Sequence, residues 1–219
     1  MARQATTGEV ADLDIGIIGS GHIGGTAARL FSKAGHRVLL ANSRGPQSLA
    51  AEVASLGPGV RAGTVEDAAA FGPVVLVAIP LGKYGTLPAR ALSGKVVIDA
   101  MNYYPQRDGE LPLGGRTSSE LVAEHLRGAR VVKALNTMYY ETLGSRGRTD
   151  APDADRLAMF VAGDDAEAKS VVSRLIEEIG FAPIDTGSLR DSGRQQPGSP
   201  IYNKPMTGRE AGAALRALS

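Results

Sequence analysis

The chain has no cysteine and no tryptophan, three histidines, an aromatic content of 5% and a formal net charge of +1. Without cysteine there are no disulfides, thiolate zinc sites, iron–sulfur clusters or cysteine nucleophiles. His22, His36 and His125 are scattered and lack ligand spacing, so no metal site is expected. Lys+Arg 24 against Asp+Glu 23 leaves no long basic run, which argues against nucleic acid as a partner. No apolar run reaches the length of a membrane span, and residues 1–12 lack the apolar core of a signal peptide. The expectation is a protein away from the membrane, in the cytoplasm, with a frayed start over 1–12. A chain of 219 residues can bury one full core, with at most a small appendage.

Glycine, by contrast, is abundant, and its placement carries the first functional signal. Ile15-Gly16-Ile17-Ile18-Gly19-Ser20-Gly21-His22-Ile23-Gly24 reads as a buried strand, a glycine turn and a helix in which Ala27, Leu30, Phe31 and Ala34 recur at helical spacing. In Gly19-x-Gly21-x-x-Gly24 the first glycine permits the turn and the second lets backbone approach a pyrophosphate. The third lets helix and strand pack closely. At the end of the next strand, 37–41, a carboxylate would accept the ribose 2′-hydroxyl of NAD, but the chain has Asn42-Ser43-Arg44. A guanidinium suits a 2′-phosphate, because its planar fork donates two charge-assisted hydrogen bonds. The dinucleotide expected is therefore NADP(H). The competing reading makes Arg44 a solvated turn residue before Gly45-Pro46.

Strand and helix signals alternate along the chain, the pattern of a parallel sheet covered on both faces. Strands read at 13–18, 37–41, 60–63, 74–79, 95–100, 130–135, 157–162 and 181–185, giving an α/β, Rossmann-type, doubly wound and mainly parallel sheet of about eight strands. Pro46 opens a helix ending at Gly57. Thr117-Ser118-Ser119-Glu120 reads as a capping box, and Asp164-Asp165 opens a helix running to Gly180. Residues 103–116, 144–156 and 187–207 read as long loops, and Thr207-x-x-Glu210 starts a last helix. The division expected is an NADP-binding domain over 13–189, including a C-terminal βαβ extension, followed by a loop and helix over 190–219.

Ligands of such sheets sit outside the carboxyl ends of the strands. Residues there include Ala78-Ile79-Pro80 and Tyr84, then Asn102-Tyr103-Tyr104, then Asn136-Thr137-Met138-Tyr139-Tyr140. Five of the six tyrosines follow strand ends, and Tyr202 lies in the tail loop. Tyrosine presents a flat apolar face with a polar tip, fit either to hold a planar ring or to cap the sheet by packing. Lys133 reads as a strand residue whose amine reaches solvent or a carboxylate. His22 is expected to contribute backbone near a pyrophosphate.

With these motifs the chain resembles the coenzyme F420-dependent NADP oxidoreductases, whose fold also forms the reductase domain of the six-transmembrane metalloreductases. The resemblance runs from Ile15 to about Leu189. It rests on Gly19 to Gly24, Ser43-Arg44, Ala78-Ile79-Pro80, Val131-Val132-Lys133-Ala134-Leu135-Asn136-Thr137, Val161-Ala162-Gly163-Asp164 and Ile184-Asp185-Thr186-Gly187-Ser188-Leu189. It implies that Ser20 to Ile23 hold the NADP pyrophosphate, that Ser43 and Arg44 hold the 2′-phosphate, and that Ile79-Pro80 and Ala134 to Thr137 line the nicotinamide and a flavin-like ring. It also implies hydride exchange between NADPH and F420, and a homodimer. The chain departs from the pattern at Leu81-Gly82-Lys83, Asn136, the Tyr103-Tyr104 loop and the tail from Arg190, all expected near the acceptor side.

The candidate cofactor-binding residues are thus Gly19, Ser20, Gly21, His22, Ile23, Gly24, Asn42, Ser43, Arg44, Ala78, Ile79, Pro80, Asn102, Ala134, Leu135, Asn136 and Thr137. No residue is assigned a catalytic role. Hydride transfer to F420 or a flavin needs mainly the apposition of two flat rings. A small carbonyl, imine or quinone acceptor, the alternative, would need a proton donor, and the Tyr-x-x-x-Lys pair is absent at every tyrosine. A third reading is a non-catalytic module that senses NADP(H).

Overall fold

The computed structural model describes residues 12–216. The fraying expected over 1–12 falls, Asp12 apart, outside the described residues. Eight strands form one sheet: β1 (Asp14–Ile18), β2 (Arg37–Ala41), β3 (Val60–Gly63), β4 (Val74–Val77), β5 (Val96–Asp99), β6 (Arg130–Lys133), β7 (Ala158–Gly163) and β8 (Ala182–Gly187). Their order is β3-β2-β1-β4-β5-β6-β7-β8. Neighbours run parallel except at β6–β7, which is antiparallel. The doubly wound, mainly parallel sheet read from the sequence is the one observed.

The strand sequences account for the layers. β4 reads VVLV and is buried throughout, as a strand covered on both faces must be. Val74 and Leu76 join one core with Ala27, Ala28 and Phe31 of the helix His22–Lys33 and with Val172, Leu175 and Ile176 of the helix Ala166–Glu178. Val75 and Val77, pointing the other way with period two, join a second core with Ala68 and Ala69 of the helix Val65–Phe71 and Val122 of the helix Ser118–His125. A third, smaller cluster seats Ala211 of the helix Gly208–Arg216 against Ala158, Phe160 and Ile201.

The caps anticipated from sequence form as bonds. Thr117 and Glu120 close a reciprocal capping box, and Asp165 accepts from the Ala168 amide at 2.9 Å. Thr64 and Asp67 make a second box, which the sequence reading did not single out.

Two expectations are corrected. The strands read to 79 and 135 end two residues sooner, at Val77 and Lys133, and the strand read to 100 ends one residue sooner, at Asp99. For β4 the last rung runs from the Ala78 amide to the Ile18 carbonyl at 2.9 Å, after which Gly19 turns away at φ 115° and removes the partner. The long loops are also not unstructured. Residues 103–116 contain the helix Pro105–Asp108, 144–156 contain the end of the helix Tyr140–Ser145 and the 3-10 turn Asp153–Asp155, and 187–207 contain the 3-10 turn Arg190–Gln195. The tail is tied to distant elements. Gln195 Nε2 donates to Thr186 Oγ1 at 2.7 Å, Gln196 Nε2 to Ser118 Oγ at 2.7 Å, and the Asn203 amide to the Thr137 carbonyl at 2.9 Å.

The strand order reverses direction between β1 and β4. At that point the two chain paths diverge, and a crevice opens at the carboxyl ends.

Candidate functional site

The glycine loop crosses the bottom of this crevice, and its three glycines do three different things. Gly19 sits at φ 115°, and a Cβ there would lie 2.3 Å from the Ala78 carbonyl oxygen. At Gly24 a Cβ would lie 1.7 Å from the Gly19 carbonyl oxygen, so helix and turn touch backbone to backbone. At Gly21 a Cβ would meet nothing within 4 Å, which leaves open ground in front of the helix. Gly21 is also the N-cap of His22–Lys33, with no side-chain cap and no acidic residue in the first turn. The first amides of a three-turn helix therefore face the crevice uncapped, a setting for an anion.

On one side of the loop lies a cavity of about 640 Å³. Asn42, Ser43, Arg44, Thr64 and Ile79 line it. Asn42 builds its turn: Oδ1 accepts from the Arg44 amide at 2.9 Å, and Nδ2 donates to Ser48 Oγ at 3.0 Å and to Ser20 Oγ at 3.2 Å. Asn42 thus joins the turn to the glycine loop through its own side chain. Among the described residues no acceptor engages the Arg44 guanidinium, the Ser43 hydroxyl or the Lys83 ammonium, all three of which line the cavity. Glu66 lines it as well, with opposite charge. Lys83 corrects the sequence reading, which placed Leu81-Gly82-Lys83 near the acceptor side. Leu81 is buried in the core, and the 3-10 turn Leu81–Thr86 brings Lys83 round to the Arg44 side.

On the other side lies a cavity of about 370 Å³, sharing Gly21, Ala78, Ile79 and Pro80 with the first. The two make one continuous crevice. His22, Ile23, Asn102, Asn136 and Met138 line this second part, together with Met101, Arg107 and Asn203, which the sequence did not reveal. Asn102 and Asn136 bond reciprocally: Asn102 Nδ2 donates to the Asn136 carbonyl at 2.9 Å, and Asn136 Nδ2 donates to Asn102 Oδ1 at 3.0 Å and to the Gln195 carbonyl at 2.8 Å. Asn136 Oδ1 is buried without a hydrogen-bond partner among the described residues.

Gly24, Ala134, Leu135 and Thr137 do not line either cavity. Ala134 and Leu135 are fully buried in the core, and Leu135 takes φ 58°, a left-handed backbone unusual for leucine. This turn in the chain puts Asn136 at the crevice. Thr137 offers its carbonyl to the tail.

The tyrosines divide. Tyr104, Tyr139, Tyr140 and Tyr202 line the second cavity. Tyr84 instead packs edge-on against His125 at 5.7 Å, and Tyr103 donates to the Gly109 carbonyl at 3.0 Å. The His22 ring stacks on Tyr140 at 4.0 Å, and Tyr140 lies 4.6 Å from Tyr139, which is 51% exposed. Hydrogen bonding with Tyr139 and Glu141 pushes the Tyr140 phenol up to about 12.

Beneath the second cavity, Lys133 is fully buried, and of the two ends the sequence reading allowed its amine, solvent or a carboxylate, the carboxylate is the one observed. Lys133 pairs with Asp99 at 3.3 Å, its register partner on β5, and donates to the Met101 carbonyl. Burial pushes the Lys133 ammonium down from its ordinary value, and Asp99 opposes that shift. Ser119 Oγ and the Met101 amide complete the shell of Asp99, at 2.7 and 3.0 Å.

Comparison with known proteins places this crevice in a family. Residues 14–103 match the family described as NADP oxidoreductase, coenzyme F420-dependent. The fold of a hypothetical protein from Sinorhizobium meliloti superposes with a TM-score of 0.78 at 34% identity, covering 90% of this chain and 95% of that one. A protein from Arthrobacter sp. FB24, provisionally assigned as an F420-dependent NADP reductase, superposes with a TM-score of 0.70 at 25% identity over 89% of this chain and 99% of that one. The metalloreductase STEAP3 of Rattus norvegicus is 30% identical over 178 residues, 80% of this chain and 34% of its own length. The chain spans about a third to a half of the curated relatives it matches. Among the described residues no helix is long and apolar enough to cross a membrane. The glycine turn, the two-part crevice and these likenesses agree: over residues 14–103 the chain belongs to the NADP oxidoreductases of the coenzyme F420-dependent type.

Proposed function

We propose that this chain is an NADPH-dependent oxidoreductase moving hydride between NADP(H) and coenzyme F420 or a related flavin-like acceptor. The observation that carries the cofactor half is one cavity in which Ser43, Arg44 and Lys83 present donors with no acceptor among the described residues, beside an uncapped helix N-terminus fronted by open Gly21. In this reading the amides from His22 hold the diphosphate, and Ser43, Arg44 and Lys83 hold the 2′-phosphate. Asn42 braces that turn rather than touching the phosphate. NADPH, when bound, supplies a hydride. The unpartnered Asn136 Oδ1 suits the amide of the nicotinamide carboxamide, with Ile79 and Pro80 between the two halves of the crevice. Tyr139 and Tyr140 offer flat faces to a planar acceptor, and the tail at Tyr202 and Asn203 narrows access for water. By its likeness to the family the assembly is a homodimer.

Anaerobic mixing of F420 with excess NADPH tests this. Loss of F420 absorbance is expected, whereas unchanged absorbance under saturating, demonstrably bound NADPH would rule F420 out. A small carbonyl, imine or quinone is the second reading, favoured by the phenols of Tyr104 and Tyr202 in the acceptor cavity. Turnover of such compounds with none of F420 or flavins would select it.

A further inference from the structure

Tyr104 and Tyr202 lie 98 residues apart, yet their hydroxyl oxygens meet at 2.5 Å. Tyr104 follows β5, while Tyr202 arrives on the tail, anchored next door by the Asn203 amide on the Thr137 carbonyl. Asn102 Nδ2 donates to Tyr202 Oη at 3.3 Å. The Arg107 guanidinium stands 4.9 Å over the Tyr104 ring and is held by Asp108 and by the Asn102 carbonyl. Tyr104, Tyr202, Asn102 and Arg107 all line the acceptor cavity.

Counting protons gives this cluster a direction. Two phenols carry two O–H protons, and the bond between them uses one, whichever phenol donates. The bond from Asn102 uses none, because there the phenol accepts. No other acceptor among the described residues bonds either hydroxyl. One phenolic O–H therefore remains unspent in a pair that faces the cavity.

We propose that the Tyr104–Tyr202 pair is the hydrogen-bond donor for the hydride acceptor, and that it selects acceptors whose hydride-accepting atom, a carbon or a ring nitrogen, is conjugated to a carbonyl oxygen or imine nitrogen. This rests on the hydride-transfer reading and adds the part that reading leaves open. When hydride adds to that atom, the π-electron pair moves along the conjugation to the oxygen or nitrogen at its far end, NADPH becomes NADP⁺, and a proton must follow. The unspent phenol O–H stabilises that charge and passes the proton, which water restores. Burial, together with the bond to Tyr104, pushes the Tyr202 phenol up from its ordinary value, so it stays protonated and a donor at neutral pH. Donors aimed at developing charge in a partly enclosed site typically contribute two to three orders of magnitude in rate.

The test compares wild type with Tyr104→Phe, Tyr202→Phe and the double variant, using F420, FMN and menadione as acceptors. The double variant is expected to keep NADPH affinity within about twofold and to lose on the order of a hundredfold in kcat. Each single variant loses less, because it retains one phenol with its proton unspent. Double-variant turnover within about threefold of wild type, or NADPH affinity falling in step with turnover, would overturn the proposal. If wild type binds NADPH but turns over none of the three, the hydride-transfer reading fails by itself. The pair is then decided by equilibrium binding of FMN to the NADP⁺-loaded protein, where the double variant must bind at least about tenfold more weakly and equal binding refutes the pair.

Discussion

Replacing Arg44 with alanine is expected to weaken NADPH binding about tenfold while leaving NADH affinity unchanged. A charge-assisted hydrogen bond contributes about 1.5–3 kcal/mol. Arg44 is exposed at its turn, where water and salt screen it, so the lower end applies, and about 1.5 kcal/mol is close to tenfold. Lys83 lines the same cavity and continues to offer a cation, so Arg44→Ala alone does not abolish discrimination. The Arg44→Ala, Lys83→Ala double variant should lose more, bringing the NADPH and NADH affinities together. Fluorescence titrations of both cofactors at two ionic strengths provide the measurement, and the wild-type preference should shrink at the higher salt. Equal losses for NADPH and NADH, or a preference indifferent to both substitutions, would refute a 2′-phosphate site at this turn.

Gly21→Ala should change stability by no more than about 1 kcal/mol, since nothing lies within 4 Å of its Cβ, yet weaken cofactor binding by an order of magnitude or more. Gly24→Ala should behave oppositely, costing about 3 kcal/mol or more, because its Cβ would sit 1.7 Å from a backbone oxygen. Urea denaturation beside NADPH titration separates them, and matching profiles for the two variants would contradict the assigned roles. Lys133→Met should cost about 3–5 kcal/mol by stranding the buried Asp99 carboxylate, and adding Asp99→Asn should restore part of it. A single-variant loss below about 1 kcal/mol would mean that the pair is not buried in solution. Backbone and side-chain bonds from Thr64 hold the Asp67 carboxyl below its ordinary 3.8. Its stabilising contribution is therefore complete above about pH 4 and lost as pH falls through the lowered folded value, and Asp67→Asn should flatten that part of a Tm-against-pH curve. An unaltered curve would remove Asp67 from the acid transition.

The legible parts of this protein were those written in local spacing. The glycine roles follow from three positions in six residues. The strands follow from short apolar runs, and the Thr117–Glu120 box from a four-residue pattern. The misread or undecided parts depend on partners far along the chain. Lys133 could be read as reaching solvent or a carboxylate, and only the pairing of β5 with β6 sets it against Asp99. Lys83 looked like an acceptor-side residue because nothing in Leu81-Gly82-Lys83 says which way the 3-10 turn winds. The stretch 187–207 looked unstructured because its composition is that of a loop, while its bonds go to Ser118, Asn136 and Thr137.

The sequence by itself determined the end of the crevice to which the proposed function assigns the cofactor: a buried strand, a glycine turn and a basic strand end in place of a carboxylate are all residues adjacent in the chain. Only the tertiary structure decided the end proposed for the acceptor. Its wall joins Asn102 and Tyr104 after β5, Asn136 after β6, and Tyr202 from a tail that folds back across the sheet. A hydroxyl pair made by residues 98 apart has no signature in either neighbourhood, and it exists because packing of the tail brings the two phenols within one hydrogen bond.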